Sequence, residues 1–106
     1  MILGHLSNFL RFPTRLEYAA VQVADDSLTE VWDRVSHRAP ELSANEARGY
    51  IRARAAVVVH RNVNSVLQDA PAHMKNKLTE LTMDRLIDSL LQRSRSVVVA
   101  PLRRAA

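Results

Sequence analysis

Apolar residues recur along this chain at helical spacing and divide it into a series of amphipathic pieces. In residues 2–12, Ile2, Leu3, Leu6, Phe9 and Leu10 share one helical face, while Gly4, Ser7, Asn8 and Arg11 share the opposite one. Pro13 ends that piece. Residues 14–24 form a second piece, read as helix from the start mark at Thr14 and Glu17, although Val21, Gln22 and Val23 alternate as a strand would. Over 27–39 the stripe is clearest, with Leu28, Val31, Trp32, Val35 and Ala39 falling together. Pro40 is expected to stop it, because proline lacks an amide hydrogen and restricts the residue before it.

The longest piece runs over 43–68, nearly seven turns, or roughly 37 Å at the α-helical rise. Asp69, Ala70 and Pro71 close it and open the next, with proline placed where a first helical turn tolerates it. Region 72–95 changes face partway along. Met74, Leu78 and Leu81 make one stripe, and Met83, Leu86, Ile87 and Leu90 make another nearly opposite. Two geometries satisfy this pattern: a kink around Thr82, or one continuous helix buried on both sides.

Helix-start marks support the same division. Thr14 with Glu17, Ser27 with Glu30, and Ser43 with Glu46 all match a capping box, in which the hydroxyl accepts from the N3 amide and the glutamate reaches back. Each such cap contributes about 1 kcal/mol. With two glycines and four prolines in 106 residues, breaks are few and fall between the pieces. The expectation is an all-α chain, a compact bundle of four to six helices around the long helix 43–68. One domain, 1–96, would be followed by a basic tail, 97–106.

The long helix does not carry the single apolar stripe of a surface helix. Ile51, Ala55, Val58 and Asn62 lie on one side, and Tyr50, Val57 and Asn64 run along a neighbouring one. Opposite lies a strip of small residues, Gly49, Ala53 and Ala56, ending at His60. Small side chains at that spacing let another backbone come close. Three readings follow: a central helix packed by its own bundle, a face that meets a second copy, or a display of arginines to phosphates. Gly49, Ala53, Ala56, His60, Tyr50 and Val57 are the candidate packing or oligomer interface. Arg48, Arg52, Arg54 and Arg61, with Arg103 and Arg104 of the tail, are the candidate nucleic-acid contacts. The arginines of the helix do not share one face, which counts against groove reading. The link 40–43 followed by a capped helix also matches a helix-turn-helix, but any αα-hairpin gives that signature.

Charge permits a polyanion without requiring one: fifteen basic residues, thirteen of them arginine, stand against eleven acidic, for a net charge of +4. The absence of cysteine excludes a disulfide framework, a thiolate nucleophile and a zinc–thiolate site, and it suits a reducing, cytoplasmic setting. The longest wholly apolar run, 55–59, is far short of the ~20 residues that span a bilayer. Residues 2–12, acid-free and amphipathic, could touch a membrane surface, but docking on the bundle explains their apolar face better.

Catalytic constellations are missing. His5, His37, His60 and His73 sit on separate segments without metal-ligand spacing. Asp33 and His37, one turn apart, fit an exposed helical pair, and Asp84 and Asp88 fit a solvated face. Glycine is too scarce for a phosphate-cradling loop. No cofactor, metal or enzymatic activity is therefore expected. The expected function is protein–protein association, self-association included, with nucleic-acid binding as the alternative.

Overall fold

A computed structural model describes the backbone of residues 15–105 and the side chains through residue 96. The amphipathic piece 2–12 and the start mark at Thr14 lie outside the described residues. Within them are three α-helices, α1 (Arg15–Val35), α2 (Ala44–Val66) and α3 (Ala72–Ala105), with a short 3-10 helix (Ala39–Glu41) between the first two. The all-α expectation holds, but among the described residues three helices replace the expected four to six: two expected pieces merge into α1, and region 72–95 is one helix that runs on to Ala105.

The merger has a simple cause. Nothing between residues 24 and 27 breaks a helix, so the chain continues through Ala24, Asp25 and Asp26 without a stop. Ala20, Val23, Ala24, Ser27, Val31 and Val35 then form one buried stripe at three- and four-residue steps. Ser27 is accordingly no cap. Its hydroxyl lies in the core, donating to the Val23 carbonyl at 2.7 Å and accepting from Asn62 Nδ2 of α2 at 2.8 Å. The strand option at residues 21–23 is also removed, since Val23 sits in the helical stripe.

Helix α1 ends at Val35, before the expected stop at Pro40. The Arg38 amide donates to the Val35 carbonyl at 3.1 Å, tightening the chain into a turn that leads to the 3-10 helix containing Pro40. Because the helix has already ended, Asp33 and His37 are not on adjacent turns of it, and they make no ion pair among the described residues. Ser43 forms the expected capping box: its Oγ accepts from the Glu46 amide at 3.2 Å, and its own amide donates to Glu46 Oε1 at 3.1 Å. At the other end of α2, Lys75 Nζ donates to the Gln68 carbonyl at 3.3 Å, tying the 67–71 link to the first turn of α3.

Side-chain pairs fix the directions of the helices. Ser27 with Asn62 and Glu30 with Arg61 make α1 and α2 antiparallel. Arg48 with Asp88 and Arg52 with Asp84 make α2 and α3 antiparallel. Arg93 over Trp32 then runs α3 alongside α1 in the same sense. The core between them is built of small residues from α1 and α2 against larger ones from α3. Alanine and valine from the first two, with Ile51, meet Leu78, Met83, Leu86, Ile87, Leu90 and Leu91.

Helix α3 is the continuous alternative of the two geometries raised by its pattern. Leu78, Thr82, Leu86 and Leu90 are buried at four-residue steps, so their line drifts ~40° around the helix with each step. A second buried line, Met83, Ile87 and Leu91, opens towards its C-terminal half. Helices α1 and α2 both pack along α3, and the 39–42 link joins them near Leu91, so burial from two sides replaces a kink. Residues 97–105 continue the backbone of α3. The long axis of the molecule reaches 59 Å, against 31 and 21 Å across. No helix among the described residues is long and apolar enough to cross a membrane.

Candidate functional site

The outward face of α2 is bounded on both sides by ion pairs. Towards α3, Arg48 Nη2 lies 3.3 Å from Asp88 Oδ1, and Arg52 Nη2 lies 3.7 Å from Asp84 Oδ1. Both arginines are four residues apart, as are both aspartates, so antiparallel packing pairs them as two rungs. Towards α1, Arg61 forms a two-pronged pair with Glu30, with Nη1 at 3.3 Å from Oε2 and Nη2 on Oε1. Arg34 Nη2 reaches the same Oε2 at 3.2 Å. The Arg61 hydrogen bond, reinforced by the charges of Arg61 and Arg34, holds the Glu30 carboxyl below the ordinary carboxylate range. The same bond raises the Arg61 guanidinium above its ordinary value. Arg54 stacks over Tyr50, with Cζ 5.1 Å from the ring centroid.

The candidate phosphate-binding arginines of α2 therefore do not converge. They splay to two flanks, and Arg48, Arg52 and Arg61 are each met by an acid of the same chain. The side chains of Arg103 and Arg104 lie outside the described residues.

Between the flanks, the small strip is uncovered. Gly49, Ala53 and His60 are exposed, and a Cβ added at Gly49 would meet nothing within 4 Å. Val57 is 65% exposed, which is unusual for a valine amid a helix that buries four other β-branched residues: Ile51, Val58, Val59 and Val63. Ala56 and Tyr50 depart from the expected set. Both are partly buried and packed on the core, and the Tyr50 hydroxyl donates to the Arg34 carbonyl at 3.5 Å. The outward face is thus Gly49, Ala53, Val57 and His60, continued one turn earlier by exposed Glu46, whose carboxylate is held in the capping box.

Sequence reasoning did not identify the acids that frame this face, Glu30, Asp84 and Asp88. One signal was available, the matching four-residue spacing of Arg48 with Arg52 and of Asp84 with Asp88. Among the described residues, no group of three or more His, Asp or Glu could hold a metal ion. Comparison with protein-family models, with curated proteins and with solved structures found no match.

Proposed function

We propose that this protein acts by association with protein, and that its outward α2 face meets a second copy of itself. The observation that carries this reading is the open strip of Gly49, Ala53, Val57 and His60, with space above Gly49 and a valine in solvent. Small residues let two helix axes approach to the short end of the usual 8–10 Å. Geometry adds a second support. A two-fold axis lying across the strip sets two copies of α2 antiparallel and places each flank against the same flank of its partner. The α3-side flank carries Arg48, Arg52, Asp84 and Asp88, which sum to zero charge and offer their copies partners. The α1-side flank, Glu30 shared by Arg34 and Arg61, keeps a net positive charge, so the complementarity is confined to the α3 side.

Light scattering across a concentration series tests this. Self-association gives a mass that rises above the 11.9 kDa of one chain. Gly49→Leu, which fits the monomer because nothing lies above that position, should lower the association constant at least ~10-fold by filling the close approach. A mass that stays monomeric at high micromolar concentration rejects self-association.

A further inference from the structure

Beneath the 39–43 link, away from the strip, a cleft of about 340 Å³ opens between that link, the start of α2 and the C-terminal half of α3. Its walls are apolar where Ala39, Leu42, Ala47 and Leu91 line it, and α3 supplies two polar groups, Ser94 and Arg95. Ser94 is only 4% exposed, and its hydroxyl makes no hydrogen bond among the described residues. That is unusual for a serine inside a helix, where the carbonyl one turn back is normally within reach, as Ser96 shows by donating to Gln92 at 3.2 Å. Unlike Thr82 Oγ1, the Ser94 hydroxyl is not sealed from solvent; it opens on the cleft it lines and is available to a ligand there.

Arg95 adds the second element. It lines the cleft, is exposed and is in no ion pair, a state it shares with Arg15 and Arg85 elsewhere on the surface, whereas Arg48, Arg52, Arg61 and Arg34 each face an acid and Arg54 and Arg93 each cover an aromatic ring. The nearest carboxylate along α3 on that side, Asp88, is already held by Arg48. An apolar cleft with one unpaired hydroxyl and one unpaired cation in its wall matches a ligand with a hydrocarbon body and a single carboxylate. Its size is near the lower end for small-molecule sites, which limits the body to a short chain or one ring.

We propose that this cleft binds a small monocarboxylate, with its hydrocarbon against Ala39, Leu42, Ala47 and Leu91 and its carboxylate between the Ser94 hydroxyl and the Arg95 guanidinium. The planar guanidinium offers two parallel donors to a carboxylate, and the hydroxyl supplies a third. A neutral compound of the same length forfeits the charge-assisted bonds.

Amide-resolved NMR titration of the full chain with octanoate, and separately with octan-1-ol, tests this assignment. Saturable shifts confined to residues 39–47 and 91–95 are expected with octanoate, and at least ~10-fold weaker binding with octan-1-ol. Arg95→Gln should weaken octanoate by about the same factor while leaving octan-1-ol unchanged, and Ser94→Ala should weaken octanoate several-fold. The spectrum of each unliganded variant reports whether its fold is intact. Absence of shifts at the cleft overturns the proposal. So do non-saturating shifts scattered over the surface, which mark adsorption of hydrocarbon, and equal octanoate binding by wild type and Arg95→Gln.

Discussion

At the scale of single residues, two buried hydroxyls take opposite roles. Ser27 is satisfied on both sides, donating to Val23 and accepting from Asn62, so it fixes one register between α1 and α2. Thr82 is fully buried, and its Oγ1 has no partner. A threonine in that position carries a desolvated hydroxyl that contributes nothing in return. Thr82→Val keeps the shape and removes the orphan, so it should stabilise the protein by about 1 kcal/mol, read as a higher urea midpoint. Ser27→Ala should do the reverse and destabilise, because it leaves the Asn62 amide without its acceptor. These opposite signs were not legible in sequence. Ser27 with Glu30 reads identically to Ser43 with Glu46, yet only the second is a cap. The difference lies in what precedes them: Pro40 and a tight link before Ser43, but uninterrupted helix-compatible residues before Ser27. Asn62, thirty-five residues away, then supplies the partner that makes burial of Ser27 tolerable.

At the scale of elements, α2 was the most legible helix, expected over 43–68 and found at Ala44–Val66. A capping signal and a proline-marked link defined its ends locally. Ser43→Ala removes the hydroxyl that accepts from Glu46 and should cost about 1 kcal/mol, lowering Tm by roughly 4–8 °C in a domain of this size. The pairing of elements was less legible, because it depends on which helix neighbours which. Glu30 is the clearest case: its spacing from Arg34, one turn on, is a local signal, but nothing local shows that Arg61 of the next helix will share it. Its pKa is lowered in the folded state, chiefly by the Arg61 bond. A lowered carboxyl pKa contributes stability that is present above the unfolded value and is lost as pH falls through the folded one. Glu30→Gln should therefore lower the urea midpoint at neutral pH. The gap from wild type should close as the medium is acidified below the ordinary carboxylate range, and it should narrow at neutral pH in ~1 M salt, because the pair is exposed. A gap that stays constant into acid would show that the carboxylate charge is not the source.

At the scale of the whole molecule, the long axis and the asymmetry of burial bear on association together. The three helices satisfy their apolar faces against one another, yet α2 still presents Val57 and the small strip to solvent. The sequence revealed that the strip exists, because spacing alone aligns Gly49 and Ala53. It could not show whether another helix of the chain covers it, and among the described residues none does. Absence of cysteine offers a direct probe, since any introduced thiol is unique. Under the proposed two-fold arrangement, residues near the middle of the strip meet their own copies. Ala53→Cys places a thiol there, and two such thiols can close a disulfide only if the Cα atoms approach to within about 7 Å. Ser89→Cys puts an exposed thiol on α3, away from the strip. Under mild oxidation at micromolar concentration, Ala53→Cys should convert to a covalent dimer much faster than Ser89→Cys, with urea slowing it to the control rate. Equal rates for the two variants in native buffer would mean only random collision brings the chains together, and the outward face of α2 would then not be a self-association surface.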